Sequence, residues 1–257
     1  MPLLSKNKVK YLTSLKLKKF RDANSQLVAE GNKLVTDLLQ KPGQDVILIA
    51  ATAEWLESNK HLHGKIDEVY ECTPTDLEKI SSFDTPPSAI AVVPYRNYEP
   101  VYPQVQTSLS LALDTVQDPG NLGTIIRTAD WFGVESIFCN EGCADRYNPK
   151  VIQSSMGSVF NVKIHYVDFM ELFQKISTYS NFPVIGTYMN GEQVSELKGL
   201  SKGMLVFGNE SRGISLSYSG FINRKVTIPP YHSDRFHVES LNVASSVAVT
   251  LGIIRSS

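Results

Sequence analysis

Residues 205–215 read LVFGNESRGIS, a short apolar run that ends in glycine and opens into a polar loop. Such a run is typical of a buried strand that leads into a ligand-binding loop. The loop lacks the glycine spacing that cradles a phosphate, and it carries Glu210 where a phosphate would sit. This stretch therefore predicts an α/β fold with a strand-end site for a ligand that has no phosphate.

Strand-like runs alternate with helical patterns on both sides of this stretch. The runs are LSLALDTV, VESIFCN, FNVKIHYV, FPVIGTYM, GMLVFG and KVTIPP. Alternation of this kind indicates βαβ units on a mostly parallel sheet. Because ligands bind beyond the carboxyl ends of parallel strands, we expect the polar loops QDPGN, NES and PYHSDRFHVESLN to converge on one site.

The chain divides near YRNYEPVYPQVQTS, a proline-interrupted run typical of a linker. We predict a small α/β domain over residues 1–97, a linker over 98–107 and a larger α/β domain over 108–257. In the small domain, SQLVAEGNKLVTDLLQ has helical spacing through Leu27, Leu34 and Leu38, whereas DVILIAAT, IDEVYECT and SAIAVVPY are typical of strands.

Charge is balanced over the whole chain but not along it. The 257 residues carry 25 Lys and Arg against 26 Asp and Glu, which argues against indiscriminate nucleic-acid binding. The N-terminal segment is nevertheless basic, with Asp22 as its only nearby acid; its cations are Lys6, Lys8, Lys10, Lys16, Lys18, Lys19 and Arg21. This basic segment is suited to phosphate groups.

Cysteine usage and hydropathy restrict the class of protein. The three cysteines are odd in number and form no C-x-x-C pair, which predicts reduced thiols without a disulfide framework or a zinc site. No stretch near the start of the given sequence joins a basic segment to an apolar run in the pattern of a signal peptide, and the longest uncharged run, 241–254, is too short to cross a bilayer. We therefore expect a soluble cytoplasmic protein with no metal.

Two further stretches hold candidate functional residues. In DPGNLGTIIRTADWFG, Asn121 is suited to an N-cap, and Arg127 lies off the apolar stripe, either paired with Asp130 or available for function. In ESLNVASSVAVTLGIIR, Ser240 and Asn242 could both cap the helix, which leaves one of them free to touch a ligand. This last helix is apolar on nearly every side, so one face meets its own sheet and the other needs a partner.

The three stretches DPGNLGTIIRTADWFG, LVFGNESRGIS and IPP…SLNVASSVAV resemble, in order and spacing, the three motifs of the TrmH/SpoU RNA 2′-O-ribose methyltransferases of the SPOUT superfamily. SSMGSVFNV is similar to a small-residue segment of that family, so the resemblance covers residues 108–257. The first domain resembles the ribosomal-protein-like domain that recognises substrate RNA in the family. The resemblance implies a deep trefoil knot, a homodimer formed through the C-terminal domain, and S-adenosylmethionine as cofactor.

The resemblance also implies roles for individual residues. Those expected near the reacting groups are Asn121, Arg127, Glu210, Ser240 and Asn242. Those expected to hold the cofactor are Thr187, Phe207, Gly208, Asn209, Gly213, Ile228, Leu241 and Asn242. In the basic segment, Lys16, Lys18, Lys19 and Arg21 are expected to bind RNA.

One stretch departs from the family pattern. Many relatives have a glycine and a short link before Ser-Leu-Asn, whereas this chain reads IPPYHSDRFHVESLN, with Pro230 after Pro229 and a longer link up to Glu239. His232 and His237 in this link are interpreted as solvated side chains rather than acid-base groups. The departure affects the adenine-side wall of the cofactor pocket.

Arg127 is predicted to stabilise charge rather than to remove a proton. Methylation requires the ribose 2′-hydroxyl to lose its proton or its developing alkoxide to be stabilised. A guanidinium is effectively always protonated, so we interpret Arg127 as an electrostatic stabiliser that also grips a phosphate, with the general-base role as the alternative.

Three alternatives to this function remain at the level of sequence. One is a catalytically silent RNA-binding protein of the same fold, and another is a nucleotide-dependent oxidoreductase, although the chain lacks G-x-G-x-x-G after the first strand of either half. Within the methyltransferase interpretation, the substrate is ribosomal or transfer RNA. The separate recognition domain favours ribosomal RNA.

Overall fold

The computed structural model describes residues 1–231 and 240–256. The chain forms two compact units. Unit 1 comprises Met1–Arg96 with Tyr147–Pro149, and unit 2 comprises Asn97–Arg146 with Lys150–Ser257. Both are mixed helix and strand, which confirms the predicted α/β class.

Within the described residues, unit 1 contains a four-stranded sheet in the order β1-β4-β2-β3. Its strands are β1 (Gln26–Glu30), β2 (Leu48–Ala51), β3 (Glu68–Glu71) and β4 (Ala89–Pro94). Its helices are α1 (Lys6–Ser14), α2 (Lys18–Asn24), α3 (Asn32–Gln40), α4 (Ala53–Ser58), α5 (Lys60–His63) and α6 (Pro74–Ile80). Strand β4 runs antiparallel to β1 and β2, whereas β2 and β3 are parallel.

Apolar clusters cover both faces of this sheet. Leu48 and Ala50 of β2 enter one cluster, whereas Ile49 and Ala51 enter the other. This alternation follows from the two-residue period of a strand. Unit 1 therefore has a core of its own on each side of the sheet.

The predicted helix that begins near Leu27 is wrong in its first part. Residues 26–30 form β1, in which Leu27 lies opposite Val93 of β4, and helix α3 begins only at Asn32. Pairing with the buried strand β4 outweighs the helical spacing of the apolar residues, since propensity is a weak prior against tertiary contacts.

The described part of unit 2 holds a six-stranded parallel sheet in the order β10-β8-β9-β5-β6-β7. Its strands are β5 (Leu109–Leu113), β6 (Ser136–Cys139), β7 (Lys163–Tyr166), β8 (Val184–Gln193), β9 (Gly203–Phe207) and β10 (Arg224–Thr227). The helices of this part of the chain are α7 (Tyr102–Thr107), α8 (Pro119–Trp131), α9 (Pro149–Ser154), α10 (Phe169–Ser177) and α11 (Val243–Arg255). All six strands predicted from the sequence form, and their parallel pairing is confirmed.

The strand order reverses where β5 lies beside β9. From β5 the chain moves outward through β6 and β7, and β9 then returns to the other side of β5. Ligands bind at such switch points in open parallel sheets, beyond the carboxyl ends of the strands. The fold therefore favours a site formed by the loops after β5 and β9. The trefoil knot stays a prediction.

The predicted linker, residues 98–107, contains helix α7. Val105 of α7 is buried in the same cluster as Ala112 of β5 and Val206 of β9. Part of this segment consequently packs into the core of unit 2. The assignment of substrate recognition to residues 1–97 and of methyl transfer to 108–257 stays a prediction.

Helix α11 packs against α8 and a short 3-10 helix, Val194–Leu197. The buried side of α11 comprises Val243, Ala244, Val247, Thr250, Leu251 and Ile254. Val249 is still 39% exposed. The described chain therefore covers this apolar helix along one side and leaves apolar surface on the other.

Candidate functional site

The loop after β9 folds back on itself at Gly208 and Gly213. Asn209 N donates to Gly213 O at 3.1 Å, and Gly213 N donates to Asn209 O at 2.8 Å. Gly213 has φ of 66°, a conformation that favours glycine. A Cβ on Gly208 would lie 2.1 Å from the carbonyl carbon of Gly213. Both glycines are therefore required for this loop shape.

The side chain of Asn209 fixes the tip of the loop. Its Oδ1 accepts hydrogen bonds from Ser211 N at 2.9 Å and Arg212 N at 3.3 Å. Its Nδ2 donates to Thr115 O at 3.0 Å, which ties the loop to the residues that follow β5. Asn209, predicted to bind the cofactor, thus has a clear role in shaping the loop.

A buried carboxylate, Asp114, joins three strand ends. Its Oδ2 accepts from Ser215 N at 2.7 Å, and its Oδ1 accepts from Asn140 Nδ2 at 2.7 Å. Asp114 is 3% exposed, and a buried carboxylate requires such donors. Sequence reasoning missed this residue. The available signal was an acid placed directly after the buried run LSLAL.

Cys143 packs beside the same network, and all three cysteines are free, as predicted. The Cys143 thiol donates to Leu113 O at 3.0 Å. Its hydrogen bond with Cys139 lowers the pKa of Cys143, whereas that hydrogen bond and burial raise the pKa of Cys139. Cys143 therefore serves the packing of the β5 end.

The start of α8 differs from the prediction, because Asp118 and not Asn121 is the N-cap. Asp118 Oδ1 accepts from Asn121 N at 2.8 Å. Pro119 occupies the first helical position, where a missing N–H costs nothing, so the helix begins earlier than expected. The side chain of Asn121 is consequently available for other contacts.

Three predicted site residues are joined by two hydrogen bonds. Asn121 Nδ2 donates to Glu210 Oε1 at 2.6 Å. Asn242 Nδ2 donates to Asn121 Oδ1 at 2.9 Å. The first turn of α8 and the N-cap of α11 therefore meet the loop after β9, as the polar stretches predicted. We call Asn121, Glu210 and Asn242 the amide-carboxylate cluster.

Asn242 performs two tasks at once. Its Oδ1 caps α11 by accepting from Ala244 N at 3.0 Å and Ser245 N at 3.3 Å, whereas its Nδ2 reaches Asn121. Capping therefore takes only one of the two candidate residues, and contact of the other, Ser240, with a ligand stays a prediction. Ser240 is exposed and is not the cap.

Arg127 is exposed on α8 and has no side-chain partner among the described residues. The expected alternative, an ion pair with Asp130, does not form, and Asp130 instead accepts from Asn161 Nδ2 at 2.8 Å. Arg127 lies six positions after Asn121 in α8, which places it about 9 Å further along the axis and about a third of a turn around it. The structure therefore does not bring Arg127 into the amide-carboxylate cluster of its own chain.

Of the remaining predicted cofactor residues, Phe207 and Ile228 lie at or just after strand ends, whereas Thr187 lies within β8 and Leu241 precedes α11. Phe207 is buried at the end of β9, and Thr187 Oγ1 donates to Val206 O at 3.2 Å. Ile228 follows β10 and is half-buried, whereas Leu241 is 46% exposed just before α11. Their contact with a cofactor stays a prediction.

In unit 1, Arg21 is not at the surface where the RNA-binding prediction placed it. It is 3% exposed, and its guanidinium donates to Leu15 O at 3.2 Å and Lys16 O at 2.8 Å. These hydrogen bonds stabilise the turn between α1 and α2. Arg21 is therefore removed from the predicted RNA-binding set.

The neighbouring lysines differ in their availability. Lys16 Nζ donates to Lys79 O at 3.1 Å and to Ser81 O at 2.6 Å, at the end of α6. Lys18 pairs with Asp22 at 2.6 Å. Lys19 is exposed, with its Nζ 4.8 Å from the centroid of the Phe20 ring. Among these predicted RNA-binding cations, Lys19 is the one whose charge has no carboxylate or carbonyl partner in the described chain.

Two predicted absences can be compared with the described residues. In residues 1–231 and 240–256, no helix is long and apolar enough to cross a membrane. The same residues hold no group of three or more His, Cys, Asp or Glu that could bind a metal ion. His232 and His237, interpreted as solvated, lie outside the described part of the chain.

Comparison with known proteins gives consistent results for both units. Residues 108–252 match the SpoU rRNA Methylase family, and residues 6–91 match the MRM3-like substrate binding domain. The 23S rRNA (guanosine(2553)-2'-O)-methyltransferase RlmP of Bacillus subtilis is 28% identical over 96% of this chain and 96% of its own length.

Solved structures match over nearly the whole chain. A protein of the TrmH family from Porphyromonas gingivalis is 34% identical with a TM-score of 0.84, covering 98% of each chain. The AdoMet-bound rRNA methyltransferase from Sinorhizobium meliloti is 26% identical with a TM-score of 0.81, covering 99% of this chain and 96% of its own.

Proposed function

This chain belongs to the SpoU rRNA methylase family and is an RNA 2′-O-ribose methyltransferase, and we propose that its substrate is ribosomal RNA. The B. subtilis relative, which carries 23S rRNA in its name, matches this chain over nearly its full length. The match of residues 6–91 to a substrate-binding domain supports a role for unit 1 in RNA recognition. A transfer RNA substrate is the alternative.

The enzyme uses S-adenosylmethionine, which supplies a methyl group on a positively charged sulfur. The S. meliloti neighbour binds this cofactor. The loop of residues 208–213 suits it, because the loop has no phosphate-cradling glycine pattern and its two glycines allow the backbone to fold back tightly after β9. We assign cofactor contacts to Thr187, Phe207, Gly208, Asn209, Gly213, Ile228, Leu241 and Asn242.

The observation that carries the proposed site is the amide-carboxylate cluster. Two hydrogen bonds, at 2.6 and 2.9 Å, connect three segments that are distant in sequence. A catalytic site needs groups held in place before the substrate arrives. Asn121, Glu210 and Asn242 meet that requirement and orient the ribose, and Ser240 lies two residues before Asn242.

Arg127 is assigned the role of stabilising negative charge on the 2′-oxygen. Its exposed guanidinium is not neutralised by Asp130, so it can donate hydrogen bonds to a phosphate or to a developing alkoxide. Its position outside the cluster of its own chain is compatible with action from one protomer on the site of another.

We also propose a homodimer formed through unit 2, because apolar side chains of α8 and α11 are exposed. Val249 on α11 is 39% exposed, and Trp131, at the end of the adjoining helix α8, is 84% exposed. Apolar surface on two packed helices favours burial against a second copy. Sedimentation of the full chain at micromolar concentration tests this, and a monomer would contradict it.

Methyl transfer to RNA is the experiment that tests the proposed function. We expect labelled methyl groups to move from S-adenosylmethionine to ribosomal RNA transcribed without modifications, and the products to be mapped as 2′-O-methyl nucleotides. Transfer to tRNA transcripts alone would establish the alternative substrate. Cofactor binding without transfer to either RNA would indicate a silent RNA-binding protein. Binding of NAD instead would indicate an oxidoreductase.

A further inference from the structure

Arg212 occupies the tip of a loop that is fixed on both sides. Its backbone N donates to Asn209 Oδ1 at 3.3 Å, and the next residue, Gly213, exchanges backbone hydrogen bonds with Asn209. Ser215, just beyond, is bound through its N to buried Asp114 at 2.7 Å. The backbone of such a loop is already ordered, so less conformational entropy is lost when one of its side chains binds a ligand.

Arg212 also stands apart from most cations of unit 2. Lys150, Lys163 and Arg224 pair with carboxylates, Lys175 and Lys225 lie over tyrosine rings, and Arg255 donates to a carbonyl. Within the described part of unit 2, no hydrogen bond, ion pair or ring contact is found for the side chains of Arg127, Lys202 and Arg212. Two of these three belong to the segments that form the candidate site.

Arg212 does not form an ion pair with the neighbouring carboxylate of Glu210. Glu210, two residues earlier, accepts its hydrogen bond from the neutral amide of Asn121 at 2.6 Å, and the described chain shows no ion pair between Glu210 and Arg212. The exposed guanidinium of Arg212 is therefore available to an anion outside the protein.

We propose that Arg212 binds a backbone phosphate of the substrate RNA next to the ribose that is methylated. The proposal rests on the proposed function, since it takes an RNA ribose as the group that enters the site. Every ribose within an RNA strand is flanked by phosphodiesters, so a cation beside the cluster meets a phosphate when the ribose is bound. The planar fork of arginine suits a phosphate in a bidentate manner.

Equilibrium binding of RNA at several salt concentrations tests this proposal. The probe is large-subunit ribosomal RNA of the source organism, transcribed without modifications. Three variants are compared with the wild type: Arg212→Ala, Arg212→Lys and Lys202→Ala. Lys202 is an exposed cation that directly precedes β9, at the strand end opposite Arg212, so Lys202→Ala matches the charge change without touching the site.

We expect Arg212→Ala to weaken RNA binding about tenfold and to lower the salt slope by about one unit, as for the loss of one phosphate contact. Arg212→Lys should keep the slope but recover only part of the affinity, because it loses the fork. Lys202→Ala should change neither quantity. In methylation assays, Arg212→Ala should raise KM and leave kcat nearly unchanged.

Three results would overturn the proposal while leaving the proposed function intact. They are a wild-type salt slope in Arg212→Ala, an equal effect of Lys202→Ala, and a loss of S-adenosylmethionine affinity in Arg212→Ala, which calorimetry would reveal as damage to the loop. Failure of the wild type itself to methylate RNA would instead contradict the proposed function.

Discussion

Two regions were predicted to be functional: the carboxyl ends of β5 and β9 in unit 2, and the basic segment of unit 1. The predicted residues of the first region contact one another, whereas several of the second are occupied by structural contacts. At the strand ends, Asn121, Glu210 and Asn242 meet through side-chain hydrogen bonds. In the basic segment, Arg21 is buried and Lys16 is bound to backbone carbonyls.

The difference lies in what each pattern specifies. Polar residues placed directly after strands of a parallel sheet share one edge, because the sheet itself brings strand ends together. A run of lysines and arginines specifies only charge, and each side chain then follows its position on a helix or turn. The topology of the sheet thus determines which residues of a site lie together, whereas the composition of a segment determines only its charge.

The largest effect on activity is expected for replacement of Arg127. Arg127→Ala should lower the rate of methyl transfer by about a hundredfold or more, as for loss of a preorganised charge. It should cost at most about 1 kcal/mol of stability, because the side chain is exposed. Arg127→Lys should restore little if the fork positions the phosphate, and much if charge alone matters. Single-turnover assays measure the rate, with Lys202→Ala as control.

A wild-type rate for Arg127→Ala would remove the catalytic assignment of Arg127. A rise in activity with pH that is specific to the wild type would support the general-base alternative.

Gly208→Ala tests whether the loop shape is needed for the cofactor. The added Cβ would lie 2.1 Å from the backbone of Gly213, and forced contacts of this kind cost about 1–3 kcal/mol. We expect the loop to shift to relieve this contact, and cofactor affinity to fall about tenfold for each 1.4 kcal/mol needed to restore the binding conformation. Calorimetry measures the affinity. Gly220→Ala is the matched control, because a Cβ there has no atom within 4 Å.

Equal cofactor affinity in Gly208→Ala and Gly220→Ala would show that the fold-back of the loop is not required for binding.

Arg21→Ala tests the basic segment as a structural element. Leu15 O would lose a donor in a buried setting and Lys16 O in a partly buried one, and a buried acceptor left without a donor costs about 1–3 kcal/mol. The midpoint of urea unfolding should fall without a change in slope. Lys19→Ala, in the same segment but exposed, should leave the midpoint nearly unchanged. Full stability of Arg21→Ala with a reduced salt slope of RNA binding would restore Arg21 to the RNA-binding set.

The smallest effect is expected for Lys19→Ala in RNA binding. Its Nζ lies over the Phe20 ring, and loss of one phosphate contact should lower the salt slope by about one unit and the affinity a few-fold. Filter binding over a range of salt concentrations measures both. Lys33→Ala is the control, since Lys33 is an exposed lysine of unit 1 paired with Asp37 at 2.8 Å. An unchanged slope for Lys19→Ala would remove Lys19 from the predicted RNA-binding set.

The sequence predicted the sheet of unit 2 more accurately than the local details of either unit. All six of its strands were located, because buried parallel strands produce continuous apolar runs. The helix predicted at Leu27 was wrong, since its strand exists only through pairing with β4. The cap at Asn121 was also wrong, because Pro119 allowed the helix to begin earlier.

For the site, the meeting of Asn121, Glu210 and Asn242 could be predicted, but its supporting contacts could not. Asp114 is bound by Ser215, 101 residues away in the chain, and no local pattern reports such a pair. The burial of Arg21 likewise depends on the turn between two helices rather than on charge.

The amide-carboxylate cluster also has a consequence for folding. Its two hydrogen bonds span 89 and 121 residues of chain, and contacts of such long range form only after the intervening segments have been ordered. A chain with native helix content but undocked α11 would thus be inactive. Regain of methyl transfer during refolding should lag behind regain of secondary structure, so activity reports the completion of folding.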